Sequence, residues 1–423
     1  MTAARLGWTG GLALFVVAAA TGSVFRIGML AGLPDWLSFE NLRHAHSHLM
    51  YFGWATPVLM GLIAARLEEH GVDGDARRRF RFLVAAALVA ASLAYVPFLV
   101  SGYGPTTLAG HAVPLSISAA GLNALVWYGF ALCYWHATRG LHRTRVLRLW
   151  DAALTFLLLA SLGPLGRGML PRMGLSALFW EHATIHWFLG LFADGWFVLA
   201  VLGLAWHARG GVAAAGRWGQ RLVVIGLPGA ALLAVPMEGY PVVQVVAPVS
   251  GLVAATGFVL LTRGLWPGGD TSGALLWRLV LVLLSLRALT LVLQGLAPGV
   301  GPGVEGLRVL YLHVVLVGVV SVGLWTAAAD LWPVGWLQRL GRWWAVAACV
   351  LLASLVPMTG WWPGAWSGPW TLWLAAAATL GLPLVAVTAL PRVGALVDVG
   401  FQTPVGAGDP NRTKVPTARD EGP

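Results

Sequence analysis

Apolar runs long enough to cross a membrane recur along this 423-residue sequence from one end to the other. A helix needs about 20 apolar residues to span the hydrocarbon core of a bilayer. Twelve such runs can be counted, over residues 6–25, 44–66, 82–101, 111–136, 149–164, 179–206, 222–237, 241–262, 275–297, 309–330, 343–359 and 370–390. Because backbone polar groups in lipid must be bonded internally, runs of this length form helices. The sequence predicts an all-α polytopic membrane protein with about 12 transmembrane helices in one bundle over residues 1–395.

Composition and charge fit a chain surrounded by membrane lipid. Apolar residues make up 58% of the sequence and charged residues 10%, against about 25% charged residues in a typical soluble domain. The net charge of +10 comes from arginines in short loops, so no nucleic-acid partner is predicted. Cys133 and Cys349 lie far apart in apolar segments, where neither a disulfide nor a thiolate metal site is expected. Residues 396–423 are rich in proline, glycine and charge, which predicts a disordered cytoplasmic tail.

The arginines also predict an orientation, because cytoplasmic loops carry the excess of lysine and arginine. Basic loops follow the second, fourth, sixth and tenth spans. Their residues are Arg77, Arg78, Arg79, Arg81, Arg139, Arg143, Arg145, Arg148, Arg209, Arg217, Arg221, Arg339 and Arg342. Arg167 and Arg172, after the fifth span, are the main exceptions. The pattern predicts a multi-pass protein of a bacterial-type inner (plasma) membrane with both termini in the cytoplasm.

Seven of the eleven histidines open spans that, in this orientation, all run from the outer to the inner face. They are His44, His46 and His48 in the second span, His111 in the fourth, His182 and His186 in the sixth, and His313 in the tenth. The predicted orientation depends on the arginines alone. The similar depth of these histidines is therefore independent of the evidence for the orientation. An ionisable group at membrane depth is costly unless it is bonded, paired or coordinated. The cluster is therefore a candidate functional site.

Neutral imidazole is the commonest ligand for zinc, copper and iron, so the cluster predicts metal or haem binding. Residues four apart on a helix share a face, which pairs His44 with His48 and leaves His46 pointing elsewhere. His182 and His186 form a second pair of this kind. For each histidine taken alone, an interfacial or hydrogen-bonded role is the alternative.

Other intramembrane polar residues could serve the same site. Asp194 lies eight residues after His186 and is a candidate proton relay, with a hydrogen-bonding or helix-kinking role as the alternative. Arg287, in the middle of the ninth span, needs an anionic partner, and Asp194 and a haem propionate are both candidates. Its depth disfavours the propionate. Better propionate candidates lie on the outer side, with surface anchoring as their alternative: Arg43, Arg167, Arg172 and Arg308.

The second span contains His46-Ser-His-Leu-Met-Tyr-Phe-Gly-Trp-Ala-Thr-Pro57, followed by Gly61. This segment resembles the second helix of subunit I of the haem–copper oxidases and their nitric oxide reductase relatives. The resemblance implies a twelve-helix fold of that type, with His46 as one axial ligand of a low-spin b-type haem. His313, the only histidine in the tenth span, falls where the family has the second axial ligand.

The sixth span, His186-Trp-Phe-Leu-Gly-Leu-Phe-Ala-Asp194, is similar to the sixth helix of nitric oxide reductases. There a histidine binds the non-haem metal, and acidic residues follow at four and eight positions. His186 and Asp194 match, and Gly190 replaces the first acid. The family also has a histidine pair in the seventh span, which is lacking here, and Tyr311 stands where it has the ligand of its catalytic haem. The resemblance thus implies an incomplete or divergent second metal site.

A second resemblance rests on His44-Ala-His46-Ser-His-Leu-Met-Tyr-Phe-Gly, which is similar to the His-Ala-His motif of NnrS-type proteins. These are twelve-span haem- and copper-containing proteins of about this length, tied to nitric oxide stress. His313 and the apolar residues after it, up to Gly318, are loosely similar to their later histidine helix.

Three functions follow as hypotheses. The leading one is a haem-binding membrane protein of the haem–copper oxidase type, either an oxidoreductase or not an enzyme, with haem b between His46 and His313. It could also hold a second metal, copper or non-haem iron. That metal would lie near His186 and His182, with further ligands from His44, His48 or His111. The chemistry would be redox chemistry on NO or O2, with a cytochrome c-like or other redox subunit as partner. The alternatives are a non-enzymatic NnrS-like protein for nitric oxide, metal or haem handling, and a proton-coupled transporter, for which broken helices and repeat symmetry are expected.

Overall fold

The computed structural model describes residues 1–175, 177–209, 214–269, 272–297, 305–359, 362–366 and 368–396. Within them, eleven helices are long and apolar enough to cross a membrane. These are α1 (Ala3–Ala31), α2 (Phe39–Glu68), α3 (Gly74–Ser101), α4 (Leu115–Thr138), α5 (Arg145–Met173), α6 (Leu178–Ala208), α8 (Pro241–Leu265), α9 (Gly273–Leu296), α10 (Gly306–Leu331), α11 (Gly335–Met358) and α12 (Pro369–Ala395). With the shorter α7 (Ala214–Ala230), they confirm an all-α polytopic membrane protein of about twelve helices. Of the predicted tail 396–423, only residue 396 lies within the described residues.

The seventh helix differs most from its prediction. A span over 222–237 was predicted, whereas α7 has 17 residues, ends at Ala230, and is followed by turns up to Tyr240. Pro236 and Gly239 favour turns over helix, and several apolar side chains of this segment are buried against the bundle. Apolar character alone did not separate a helix from a buried turn.

Three other boundaries moved in ways that affect the candidate site. The first helix runs to Ala31 rather than to residue 25, and so includes Arg26. The helical segment α5 extends to Met173 and therefore includes Arg167 and Arg172, which were predicted to lie in a loop. The fourth helix begins at Leu115 rather than at residue 111.

A small β-hairpin occupies the α3–α4 connection, where the fourth span was predicted to begin. Strands β1 (Thr106–Leu108) and β2 (His111–Val113) pair in antiparallel fashion, with Leu108 opposite His111. Ala109 and Gly110 form the two-residue turn, and both have positive φ. Two-residue turns of this conformation match the twist of paired strands.

Three helices, α2, α6 and α10, contain a π-helical segment near their middle. The segments cover Leu49–Ala55, Leu191–Val198 and Val314–Ser321. The first and third begin directly after His48 and His313, and the second begins five residues after His186. In α2 and α10 a hydroxyl donates to the carbonyl five residues back, from Thr56 to Tyr51 and from Ser321 to Leu316. Such segments often mark functional sites in helices.

The π-helical segments meet in the interior of the bundle. Trp54 Nε1 on α2 donates to Ser321 Oγ on α10 at 3.0 Å. The Tyr51 ring on α2 stacks on Phe197 of α6, with centroids 5.8 Å apart. These contacts hold the three histidine-bearing helices side by side. The histidines lie at the same end of the bundle, because His313 interacts electrostatically with His46 and His186 lines a cavity together with Arg308 and Tyr311 of α10. We call this the histidine end.

Candidate functional site

His46 and His313 are brought together and are held in the same way. His46 Nδ1 lies 2.7 Å from the Ala18 carbonyl oxygen on α1, and His313 Nδ1 lies 2.7 Å from the Val309 carbonyl oxygen on α10. A carbonyl only accepts, so Nδ1 carries the proton in each ring and Nε2 keeps its lone pair. Across the described residues, no group hydrogen-bonds to either Nε2. The two imidazoles are close enough to interact electrostatically. This arrangement is typical of histidines that bind a metal through Nε2.

The first helix supplies the space and a positive charge beside this pair. A Cβ at Gly22 would lie 2.8 Å from the His46 ring, so the glycine admits the imidazole. Arg26, one turn further, interacts electrostatically with both His46 and His313. Its Nη1 contacts Met358 Sδ at 3.5 Å, and within the described parts of the chain it has no carboxylate partner. Sequence reasoning missed Arg26 because the predicted span ended before it, although a lone arginine in so long an apolar run was a signal.

The four arginines predicted to hold propionates have different surroundings: Arg43, Arg167, Arg172 and Arg308. Arg43 and Arg172 are exposed. Arg167 forms an ion pair with Glu181. Arg308 is half-buried and lines a cavity described below. Their role toward a haem stays a prediction.

His44 and His48 share the face of α2 opposite to His46, as their spacing predicted. His48 Nδ1 donates to the His44 carbonyl at 2.9 Å, and its Nε2 lies 3.2 Å from the Tyr103 hydroxyl. Because the proton of His48 lies on Nδ1, its Nε2 accepts from the Tyr103 hydroxyl. His44 Nε2 is 3.5 Å from the carboxylate of Glu40. Both nitrogens of His48 are therefore engaged by protein groups.

His182 and His186 lie together on α6. Their rings are stacked with centroids 6.1 Å apart. His186 interacts electrostatically with Arg308 and lines the same cavity. In the described chain neither imidazole is hydrogen-bonded, which leaves their nitrogens available as ligands.

His111 is placed differently from the prediction that it opens a helix. It lies on β2 and is exposed. The expected helix start was wrong here because the turn at Ala109 and Gly110 folds the segment back as a hairpin. The seven histidines thus include two i,i+4 pairs, the His46–His313 pair and an exposed His111. Among described residues, no three His, Cys, Asp or Glu side chains form a group that could hold a metal ion. The second metal site stays a prediction.

A buried ion pair lies deeper in the bundle, between α6 and α9. Arg287 Nη2 is 2.6 Å from Asp194 Oδ2, and Arg287 Nε lies 3.2 Å and 3.1 Å from the two carboxylate oxygens. Their side chains are 7% and 1% exposed. Tyr311 donates to Asp194 at 3.3 Å, and the guanidinium carbon is 4.3 Å from the centre of its ring. Of the two partners predicted for Arg287, the structure gives Asp194. The proton-relay role of Asp194 stays a prediction.

No protein-family model matches this sequence, and no curated protein matches it significantly. The resemblance to the oxidase, reductase and NnrS-type families therefore depends on the quoted motifs alone.

Proposed function

We propose that this protein binds haem b between His46 and His313 and acts in membrane electron transfer, on the plan of haem–copper oxidase and nitric oxide reductase subunit I. The observation that carries the proposal is the matched state of the two imidazoles. Each directs its Nδ1 proton to a main-chain carbonyl and keeps its Nε2 lone pair, and the two lie within electrostatic range. His48, on the same helix, has its Nε2 occupied by Tyr103.

The residues present fit a b-type haem. Two neutral imidazoles are an established donor set for low-spin haem iron. The carbonyls of Ala18 and Val309 orient the rings and make them more basic ligands. Arg26 supplies a positive charge that suits a propionate carboxylate. The sequence predicted the same role for Arg43, Arg167, Arg172 and Arg308. When bound, the haem supplies one-electron redox chemistry, and the protein tunes its potential through these groups.

The second part of the proposal is a metal, copper or non-haem iron, near His186 and His182. Their nitrogens are not used by other described groups, which favours them over His48 and over the exposed His111 as ligands. Asp194 would hold or pass a proton close to this site. The protein would then reduce a small molecule such as NO or O2, with electrons from a cytochrome c-like or other redox subunit. A bacterial-type inner membrane with cytoplasmic termini completes the proposal.

The test is optical and uses the full-length protein purified in detergent. We expect a sharp low-spin signal in the reduced-minus-oxidised spectrum and about one haem per chain. The signal should disappear in His46→Ala and in His313→Ala. His48→Ala is the matched control, because it lies two residues away on the same helix and should keep the signal. A silent wild-type spectrum, or a full signal in His46→Ala, contradicts the haem proposal.

Metal analysis of the same preparations separates the alternatives. Copper or non-haem iron that is lost in His186→Ala, while the low-spin signal persists, supports the second site. Haem with no second metal favours the non-enzymatic alternative, a protein for nitric oxide, metal or haem handling, because one haem suffices for it. Protein that holds neither haem nor metal favours a proton-coupled transporter with Arg287 and the histidines along its path.

A further inference from the structure

A small cavity with apolar and polar lining lies between α6, α9, α10 and the turn after α7. Its volume is about 40 Å³, enough for a ligand of a few atoms. Alanine and leucine side chains form its apolar wall. Its polar lining consists of His186, Arg287, Gln294, Arg308 and Tyr311.

Gln294 places a polar amide in the wall of the cavity. The residue is 6% exposed, and nowhere in the described chain does its amide find a hydrogen-bond partner. Buried amides in proteins are almost always hydrogen-bonded, because burial without a partner is unfavourable. Since Gln294 lines the cavity, a ligand there is placed to receive its N–H groups.

The charge of the lining indicates the sign of that ligand. Arg287 is neutralised by Asp194 through the ion pair described above. Arg308 has no carboxylate partner within the described ranges and interacts electrostatically with His186. Among the described side chains, Arg308 therefore gives the lining one positive charge that no carboxylate neutralises. A guanidinium holds planar oxyanions through two parallel hydrogen bonds.

We propose that this cavity binds a small planar oxyanion of one negative charge, such as a carboxylate, nitrite or nitrate group. The Arg308 guanidinium and the Gln294 amide are its main donors. The oxyanion is either a free ion or the carboxylate of a larger bound molecule, which includes a haem propionate. A free oxyanion at this site does not depend on the His46–His313 pair, whereas a haem propionate as its source rests on the proposed function.

The probe is sodium formate, whose three heavy atoms suit the volume, titrated into the full-length protein in detergent. We expect a saturable rise in unfolding temperature that sodium chloride at equal ionic strength does not produce, because a ligand of the native state stabilises it by mass action. Arg308→Gln and Gln294→Leu should each weaken the apparent formate affinity at least tenfold. Arg172→Gln, which alters an exposed arginine, is the matched control and should leave the affinity unchanged.

A second arm identifies the source of the oxyanion. Equal formate affinity in wild type and His46→Ala supports a free ion. Formate binding that appears only in haem-free His46→Ala supports a carboxylate of the bound haem. The proposal is overturned by the absence of saturable binding in both proteins, or by unchanged affinity in both Arg308→Gln and Gln294→Leu. Neither result bears on the low-spin signal that tests the haem.

Discussion

At the scale of single residues, the hydrogen-bond partner of Nε2 distinguishes one candidate histidine ligand from another. His46 and His48 are two residues apart and share the same helix, and both donate through Nδ1 to a carbonyl. Tyr103 occupies Nε2 of His48, while Nε2 of His46 is left for a ligand. Judged by residue type and predicted membrane depth alone, both histidines are equally good candidate ligands. The hydrogen-bond partner separates them.

The glycine beside His46 gives the first prediction. In Gly22→Ala the new Cβ would lie 2.8 Å from the His46 ring, so the imidazole must shift away from the Ala18 carbonyl. Overpacking of this kind costs about 1–3 kcal/mol. We expect haem content and the low-spin signal to fall by at least half, measured by optical spectroscopy. Gly121→Ala, in open space on α4, should leave both unchanged. Full haem content in Gly22→Ala would contradict the placement of His46.

The buried ion pair gives a second prediction at this scale. In Asp194→Asn the Arg287 charge loses its only described counter-charge in the interior, which costs about 3–5 kcal/mol. We expect a large loss of thermal stability, partly recovered in the double variant Asp194→Asn/Arg287→Met. Glu181→Gln removes an exposed ion pair and should cost at most about 1 kcal/mol. Equal losses in Asp194→Asn and Glu181→Gln would show that the buried pair contributes little.

At the scale of secondary structure, the π-helical segments decide which residues share a face. They begin at Leu49, Leu191 and Val314, so each lies between a candidate histidine and the rest of its helix. The spacing from His186 to Asp194 predicted one common face, on the assumption of regular α-helix. Because a π-helical segment intervenes, residues before and after it are rotated relative to that expectation. The i,i+4 histidine pairs before these segments are confirmed, and the common face of His186 and Asp194 stays a prediction.

Ser321 gives the prediction that belongs to this scale. Its hydroxyl accepts from Trp54 and donates to the carbonyl of Leu316, so it links α2 to the π-helical segment of α10. Ser321→Ala leaves a buried indole N–H without a partner, which costs about 1–3 kcal/mol. We expect a lower unfolding temperature in detergent and a broadened low-spin signal. Ser285→Ala is the control, because it removes only a hydrogen bond from a hydroxyl to the backbone of its own helix. An equal fall in unfolding temperature in Ser285→Ala would show that the Trp54–Ser321 hydrogen bond does not stabilise the contact between α2 and α10.

At the scale of the whole molecule, the fold followed from the sequence more fully than the site. Apolar length fixed the number of helices, because lipid leaves the backbone no other option. Helical spacing gave the histidine pairs correctly. Arg26 was missed because the predicted first span ended at residue 25. Gln294 was missed because its importance depends on which helices pack around it, and that is set by tertiary contacts. His111 was misplaced because a hairpin turn outweighed the apolar pattern around it.

A second contact between α2 and α6 lies at the end of the bundle opposite to the histidine end. It gives a prediction about how stability depends on pH. Glu69, just after α2, lies 3.0 Å from His207 Nε2 and accepts from Arg66 at 2.7 Å. Partial burial acts to raise the pKa of Glu69, but the hydrogen bonds from His207 and Arg66 outweigh it and hold that pKa below its ordinary value. The ionised carboxylate is thus favoured by folding.

The sign of the pH effect follows from this depressed pKa. The contribution of Glu69 is fully present above its unfolded pKa and is lost as the pH falls through the folded value. We expect Glu69→Gln to lower stability by roughly 1 kcal/mol at pH 7, and the difference from wild type to shrink as the pH is lowered from the ordinary glutamate pKa, about 4.3, through the lower folded value. Thermal unfolding in detergent across this range measures it. Asp75→Asn, which removes an exposed pair with Arg78, should show a much smaller difference at pH 7. A difference between Glu69→Gln and wild type that persists unchanged at low pH would mean that the carboxylate charge does not hold these two helices together.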